Sequence, residues 1–282
     1  IHYGVRDNDG LLDYAAMVKL AREHRPKLII AGGSAYPRTI DFACFRAVAD
    51  DIGALFLVDM AHFAGLVAGH AHPSPFPHAH VATATTYKNL RGVRGGIVLT
   101  DTKVLAKKIN SAVFPGIQGS VILNAIAAKA VCFGEALKPE FKEYAARVLT
   151  NARALAAALM KRQVRIVTGG TDTPLMLVDL RRHGITGKAA AESLKSAALT
   201  VNKNAVPGDT EPPTVTSGLR FGVSAGTTRG FGANEFTEIG YLIADVIDGL
   251  AADPHDNAKT ERRVRAKVRA LCRDFPIYPD LD

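Results

Sequence analysis

One lysine, Lys88, stands in a sequence context that suits a chemical role. It follows small and β-branched residues at 81–86, which are typical of a strand, and precedes a loop containing Gly92, Gly95 and Gly96. An amine is a nucleophile at neutral pH only when burial or a nearby positive charge lowers its pKa. Taken alone, Lys88 is more simply interpreted as a solvated loop lysine, so the prediction of a reactive amine depends on a second stretch.

The second stretch, LFLVDMAHFAGLVAGH at 55–70, contains a carboxylate and an imidazole. Four apolar residues end at Asp59, which predicts a parallel strand buried on both faces with an acid at its carboxyl end. A buried aspartate needs a cation or a hydrogen-bond donor, so Asp59 is either functional or satisfied by a local cap. His62 follows shortly after, and its alternative interpretation is a turn histidine with a local partner.

The spacing of Asp59 and Lys88 predicts a cofactor. Each follows a predicted strand, and 88 − 59 = 29 residues separate them, so both should lie on the same rim of one sheet. Pyridoxal phosphate needs such a pair, because the lysine forms a Schiff base while the aspartate keeps the pyridine nitrogen protonated. The protonated ring then accepts electrons from a carbanion at the substrate α-carbon. We expect His62 to contact the same cofactor.

Two further residues lie where ligand groups are expected. Ser34 comes just past the apolar strand KLIIAGG, the position at which open α/β sheets bind ligands; a helix N-cap or turn serine is the alternative. Arg220, in TSGLRFGVS, is predicted to be buried at the start of a strand, where its donor fork could clamp a substrate carboxylate. A structural ion pair is the alternative for Arg220.

The composition argues against several other classes. Four histidines in the stretch 69–80 raise the question of zinc, but no cysteine or HExxH pattern lies nearby and prolines interrupt the stretch, so we predict no metal site. The cysteines Cys44, Cys132 and Cys272 form no disulfide framework, which favours a reducing cytoplasm. No apolar run is long enough to span a membrane, and the first residues lack the pattern of a signal peptide.

The net charge of +8 is concentrated near the carboxyl terminus. There Val264, Val268 and Leu271 recur at helical spacing among arginines and lysines, which predicts an amphipathic helix with a basic, solvated face. Nucleic-acid binding by this face is the alternative, and we do not predict it.

The elements that position these residues form two modules. Strands are predicted around 27–32, 55–59, 81–86 and 97–100, which indicates a mainly parallel α/β sheet, with an antiparallel neighbour possible at its end. Long helices over 121–161 then suit a connector. The second module has predicted strands near 164–168, 174–180, 199–202 and 219–223, and helices at 187–197 and 233–250. The predicted domains are 1–140, the carboxyl-terminal part of a large cofactor-binding domain with its connector, and 141–282, a small domain.

Several blocks together closely resemble the serine hydroxymethyltransferase family over about residues 3–250. These are VDMAHFAGLVAGHAHPSPFPHAHV, TTYKNLRGVRGG, FPGIQG, AAKAVCFGEAL, VNKNAVPGD and TSGLRFGVSAGTTRGFG. The resemblance implies the fold of aspartate aminotransferase-like pyridoxal phosphate enzymes, with part of a large mainly parallel-sheet domain and a smaller carboxyl-terminal α+β domain. It also implies reversible transfer of the serine hydroxymethyl group to tetrahydrofolate, giving glycine.

The same resemblance implies roles for individual residues. Lys88 would be the Schiff-base lysine and Asp59 the partner of the pyridine nitrogen. His62 and Ser34 would contact the cofactor around its 3-hydroxyl group.

The substrate side follows in the same way. Arg220 would bind the carboxylate of the amino acid, and Asn204 would lie at the folate side. Gly119 would help to hold the cofactor phosphate of a neighbouring subunit, because the family is typically a homodimer with shared sites.

The chain departs from the family pattern at several positions. Tyr87 stands where a histidine is usual before the lysine, and it adds a phenol beside the Schiff base, so we include it among the catalytic candidates. Ser120 and Val121 replace a glycine and a proline, Asn124 replaces a histidine, and 222–225 reads GVSA instead of GTPA. These changes are interpreted either as neutral drift or as a divergent specificity.

The resemblance leaves other hypotheses open. The family's amino-terminal portion has no counterpart here, so the chain is expected to hold only part of the site. One alternative keeps pyridoxal phosphate without folate, as a retro-aldolase or racemase, or acts on α-methylserine. Another is a non-catalytic module that binds a partner or nucleic acid.

Overall fold

A computed structural model describes residues 1–278 of the chain, which divide into two compact units. The first unit holds residues 1–4, 12–34 and 39–146, and the second holds 5–11, 35–38 and the chain from Arg147 on. The domain bounds expected from the sequence, 1–140 and 141–282, stay a prediction. Two short segments near the start of the chain were not predicted to belong with the later part.

Helices and strands alternate in the first unit, as an α/β fold requires. Its elements are α1 (Tyr14–His24), β1 (Leu28–Gly32), α2 (Phe42–Ile52), β2 (Leu55–Asp59), α3 (Ala64–Ala68), β3 (Val81–Thr85), β4 (Gly96–Leu99), α4 (Lys103–Ser111), α5 (Leu123–Ala136) and the start of α6 (Pro139–Lys161). An irregular helical turn, Ala112–Ile117, joins α4 to the segment before α5. Local chemistry sets the helix ends: the Asp41 side chain accepts from the Cys44 N–H at the start of α2, and Gly53 ends it at φ 73°.

The sheet of the first unit has the order β1-β2-β3-β4. β1, β2 and β3 are parallel, whereas β4 runs antiparallel to β3. The α/β class predicted from the sequence is therefore confirmed, and so is the antiparallel neighbour. In the register of the sheet Gly32 is opposite Asp59, and Asp59 is opposite Thr83.

Only one face of this sheet is buried. Alternate side chains of the three parallel strands, including Phe56 and Val58, are fully covered. The other face leaves four large aliphatic side chains 40–53% exposed, namely Leu28, Ile30, Leu55 and Val98. The prediction that 55–59 is a strand buried on both faces was wrong, because a run of apolar residues shows what a strand could bury but not whether anything covers it.

The second unit pairs an antiparallel sheet with helices. Its elements are the rest of α6, β5 (Arg165–Ile166), β6 (Leu175–Asp179), α7 (Gly187–Ser196), β7 (Asn202–Asn204), β8 (Gly218–Gly222), α8 (Ser224–Arg229), α9 (Ala233–Ala252) and α10 (Ala258–Asp274). The strands lie in the order β5-β6-β8-β7, and α7, α9 and α10 pack against one another.

The basic helix α10 has the predicted amphipathic form. Val264 and Val268 are buried, while its arginines point outward or bond to neighbours. Arg263 pairs with Asp245 at 3.0 Å, and the Arg265 guanidinium donates to the Ser196 carbonyl at 2.6 Å. Among residues 1–278, the helices are too short or too polar to cross a membrane.

Candidate functional site

A pocket of about 320 Å³ lies at the carboxyl ends of the parallel strands in the first unit. Parallel strands end on the same side of a sheet, so residues far apart in the sequence converge there. The pocket is lined by Ile30, Ala31, Gly32, Gly33, Ser34, Asp59, Ala61, His62 and Lys88. Four of the candidates from the sequence, Ser34, Asp59, His62 and Lys88, are thus brought together, although their chemical roles stay predictions.

Lys88 and His62 form the central contact of the pocket. The Lys88 Nζ atom lies 3.2 Å from the His62 Nε2 atom, and both side chains are half-buried. An N···N pair at this distance shares one proton, with the amine or the ring as donor according to protonation. The contact therefore offers a route by which a proton can leave or reach the amine.

Asp59 ends β2 with its carboxylate on the open face of the sheet. One oxygen, Oδ1, accepts the Ala61 N–H at 3.1 Å. The residue is exposed, which corrects the expectation of a buried aspartate. A carboxylate oxygen has room for more than one hydrogen bond, so this bond leaves Asp59 able to accept an N–H from a ligand.

At Gly32, strand β1 approaches Asp59 so closely that no residue with a side chain would fit. Its φ is +130°, and a Cβ atom at this position would lie 2.2 Å from the Asp59 carbonyl oxygen. The backbone needs glycine both for its dihedral angle and for the close approach. Gly32, Ser34 and Asp59 all line the pocket, so this close contact lies at its edge.

The loop after Lys88 is held by buried polar contacts. Thr86 is fully buried; its hydroxyl donates to the Val93 carbonyl at 2.6 Å, and its carbonyl accepts the Gly92 N–H at 2.8 Å. A Cβ atom on Gly92 would lie 2.5 Å from the Cys132 sulfur, so α5 packs directly against the loop. Burial raises the pKa of the Cys132 thiol, which keeps it neutral.

These supporting residues were missed in the sequence. The spacing of Gly92 and Gly95 could have indicated a tightly packed loop, because glycine permits close backbone approach. Nothing in the sequence showed that Thr86 and Cys132 were the groups packed against it.

Tyr87 lies beside the pocket rather than in its lining. Its ring is 37% exposed, and the Arg94 guanidinium carbon lies 4.7 Å from the ring centroid. The Lys88 Nζ atom is 5.8 Å from the same centroid, near the limit of a cation–π contact. Tyr87 thus brings two positive groups to one ring.

Gly119 lies outside the pocket lining of the first unit. It is exposed, and a Cβ atom built on it would meet nothing within 4 Å. The neighbouring side chains are apolar and solvent-exposed: Phe114 by 66%, Ile117 by 79%, Val121 by 69% and Ile122 by 67%. This segment, residues 114–122, is named the apolar turn below.

Arg220 and Asn204 line a separate groove of about 570 Å³ in the second unit. Arg220 is half-buried rather than buried as expected, and it is opposite Asn202 in the sheet. The Asn204 side chain donates to the Ala205 carbonyl at 2.8 Å. Lysines outnumber acids in the groove, which is lined by Lys188, Ala191, Glu192, Lys195, Thr200, Val201, Asn202, Lys203, Asn204 and Arg220.

Two of the four histidines of the stretch 69–80, His72 and His80, have structural contacts. The His80 ring accepts the Phe56 N–H through Nδ1 at 2.9 Å, and desolvation together with the Arg46 charge lowers its pKa. His72 is buried with its ring centroid 4.5 Å from that of Phe63. Among residues 1–278 no group of three or more histidine, cysteine, aspartate or glutamate side chains is placed to hold a metal ion.

Comparison with known proteins gives a consistent result. The profile of the family described as serine hydroxymethyltransferase matches residues 1–243. Similar proteins named serine hydroxymethyltransferase occur in Paramagnetospirillum magneticum and Rhizorhabdus wittichii. The first is 63% identical over 99% of this chain, and the second is 62% identical over 100% of this chain. A protein of Rhodospirillum rubrum named serine hydroxymethyltransferase 2 is 59% identical over the full length of the chain.

These matches cover only part of the relatives. The chain spans 65% of the first, 64% of the second and 65% of the third. The matched portion nevertheless includes every residue of the pocket. The chain belongs to the serine hydroxymethyltransferase family.

Proposed function

We propose that the chain functions in a pyridoxal phosphate-dependent serine hydroxymethyltransferase, which transfers the hydroxymethyl group of serine to tetrahydrofolate and yields glycine. The observation that carries the proposal is the pocket in which Lys88, His62 and Asp59 meet. The family and the names of its members support the choice of reaction. Because the chain spans about 65% of these relatives, the activity of the whole enzyme is a proposal for this chain.

The pocket residues fit the chemistry of pyridoxal phosphate. An exposed carboxylate at Asp59 can accept the pyridine N–H, and a primary amine at Lys88 can attack an aldehyde. Gly32 lacks a side chain, so a flat ring can approach the rim of the sheet. When bound, the cofactor supplies an electron sink for the electron pair left at the substrate α-carbon.

The residues around the Lys88 nitrogen would have different roles in proton transfer and cofactor binding. Nζ must lose a proton before it attacks, and His62 Nε2 at 3.2 Å is placed to take or return it. Asp59 would accept a hydrogen bond from the cofactor ring and hold it in orientation. Ser34, on the same rim, would donate its hydroxyl to a polar group of the cofactor.

The groove of the second unit suits anionic substrates. Both an amino acid and a folate carry carboxylates, and the groove has Lys188, Lys195, Lys203 and Arg220 against the single acid Glu192. The planar fork of Arg220 can hold a carboxylate through two hydrogen bonds. Asn204 would contact the folate with the polar atoms of its side-chain amide.

We also propose a homodimer in which the apolar turn is covered by a second copy. Its large side chains are two-thirds or more exposed, and solvent exposure of such a contiguous set is typical of an interface. Gly119, at its centre, would then reach the cofactor phosphate of the partner copy. The free cysteines Cys44, Cys132 and Cys272 support a reducing compartment such as the cytoplasm.

The proposal is tested by cofactor binding. Addition of pyridoxal phosphate should produce a visible absorbance band, and borohydride should then fix one pyridoxyl phosphate group on Lys88, as located by peptide mass analysis. Lys88→Ala should lose both signals. Lys108→Ala, which removes an exposed lysine of α4, should keep them. Attachment to other lysines at the same rate as to Lys88 would contradict the proposal.

The reaction is tested in a polypeptide that joins the chain to the portion of a relative that the chain does not span. Serine turnover should require tetrahydrofolate and pyridoxal phosphate together. Parallel assays with allo-threonine and α-methylserine, with and without folate, would reveal a different specificity. Turnover of α-methylserine in preference to serine would refute the proposed substrate.

A further inference from the structure

Asn89, the residue after Lys88, caps a helix that belongs to a different segment of the chain. It is 2% exposed, and its Oδ1 atom accepts the Gly65 N–H at 2.9 Å across 24 residues of sequence. Gly65 is the second residue of α3, and the N-cap residue Phe63 makes no side-chain hydrogen bond there. Asn89 therefore replaces the missing cap of α3.

The two segments also touch through their backbones. A Cβ atom on Gly65 would lie 2.2 Å from the Asn89 carbonyl oxygen, so no other residue would allow this approach. On the other side of His62, the Thr85 hydroxyl donates to the Ala61 carbonyl at 3.3 Å, and the Met60 N–H donates to the Thr83 carbonyl at 2.9 Å.

This arrangement fixes His62 against Lys88. His62 lies just before α3, whose start is held by Asn89, and Asn89 is bonded directly to Lys88 in the chain. The position of the Asn89 oxygen therefore sets the separation of Nζ and Nε2, which is 3.2 Å. Hydrogen bonding weakens steeply beyond this distance range, so a small displacement of α3 would end the contact.

Asn89 is a poor choice for stability alone. Within residues 1–278 its Nδ2 atom is buried and has no hydrogen-bond partner, and a buried unpaired donor is unfavourable. The amide cannot be turned round, because Gly65 N–H needs the oxygen. The residue thus keeps an unsatisfied donor in order to place an acceptor at this point.

We propose that Asn89 is a positioning residue that holds His62 at the Lys88 amine, and that it thereby controls the reactivity of Nζ. This inference rests on the proposed function, since it assigns Asn89 a part in preparing the same amine. Asn89 itself does not line the pocket.

The test measures how fast pyridoxal phosphate modifies Lys88 in the full chain, trapped by borohydride and quantified by peptide mass analysis from neutral to alkaline pH. Asn89→Leu keeps the side-chain volume and removes the acceptor, and Asn89→Ala is used if that variant does not fold. We expect a rate lower by about tenfold or more at neutral pH, because a positioned proton acceptor contributes ~10²–10⁴-fold, and a displaced pH midpoint. Asn89→Asp keeps the acceptor and should retain most of the rate.

A matched control separates positioning from general damage. Asn151, in the second unit, is also a buried asparagine at 1% exposure and donates to Thr227 and Phe231 at 2.9 Å. Asn151→Ala should lower the melting temperature without moving the Lys88 pH profile.

The possible results distinguish the two proposals. An unchanged rate and pH midpoint in Asn89→Leu, or an equal change in Asn151→Ala, would overturn the role of Asn89. Failure of the unmodified chain to label Lys88 selectively would overturn the proposed function instead.

Discussion

Replacement of Gly32 by alanine would place a methyl group where the structure has no room for one. The new Cβ atom would lie 2.2 Å from the Asp59 carbonyl oxygen and 3.0 Å from its carbonyl carbon. These atoms belong to the backbone of the central strand β2, so neither can rotate away. We expect β1 and β2 to separate at their carboxyl ends, where Asp59 enters the pocket.

Two contributions give the size of the effect. A φ of +130° is a conformation that residues with a Cβ atom rarely adopt, at a cost of about 1–3 kcal/mol. Overpacking against fixed atoms costs about 1–3 kcal/mol more. The free energy of unfolding of the first unit should therefore fall by roughly 2–6 kcal/mol, summed from these two ranges.

Gly53→Ala supplies the matched control. Gly53 also has a positive φ, +73°, but a Cβ atom there would meet nothing within 4 Å. Its replacement should cost only the conformational part, about 1–2 kcal/mol. Urea denaturation followed by circular dichroism gives both values, and pyridoxal phosphate uptake shows whether the pocket survives.

The comparison can refute the reasoning. If the two variants lose the same stability within about 1 kcal/mol, the close approach of Gly32 to Asp59 does not constrain the fold. If Gly32→Ala also binds pyridoxal phosphate as the unmodified chain does, the shape of the pocket does not depend on this contact.

Three further predictions concern other parts of the molecule. Although desolvation raises it, hydrogen bonds from Ser217, Glu211 and Val206 lower the pKa of Asp209 to about 2. Its stabilising effect should be complete above pH ~4 and lost as the pH falls through about 2; urea denaturation across this range should show the loss, and Asp209→Asn should make it smaller. Tyr87→Phe should keep the Arg94 contact and the thermal stability, whereas Tyr87→Ala should lower the free energy of unfolding by about 0.5–1 kcal/mol; equal losses in calorimetry would contradict the ring contact. Cys132→Ala should destabilise the loop after Lys88 by about 1–3 kcal/mol, since it removes a buried thiol that donates to the Leu90 carbonyl at 3.3 Å, and hydrogen exchange at Gly92 would report it.

The sequence was sufficient to predict an element of structure where neighbouring residues determine where that element ends. Asp59 closes β2 because a charged residue ends an apolar run, and β1 ends at Gly32 for the dihedral angle that glycine allows. The helix α4 was not predicted, since only three of its nine residues, Val104, Leu105 and Ile109, are large and apolar. An amphipathic pattern with so few members gives little signal.

The sequence was insufficient to predict a contact whose hydrogen-bond partner lies far away along the chain. Lys88 and Asp59 could be placed on one rim because parallel strands share their direction. The role inferred for Asn89 depends on a backbone N–H 24 residues away, and backbone groups look alike in every sequence. The exposure of Asp59 likewise depends on which face of the sheet is covered, and that is decided by tertiary packing.

The open face of the first sheet has a thermodynamic consequence for the pocket at its end. Leu28, Ile30, Leu55 and Val98 are each about half exposed, and burying the remainder would contribute roughly 1 kcal/mol per side chain, or about 4 kcal/mol in all. That is a large part of the 5–15 kcal/mol, approximately, by which a domain is stable. A polypeptide segment that packs against these strands would therefore stabilise the edge of the sheet that carries Asp59. The melting temperature of the first unit would then rise with the concentration of that segment.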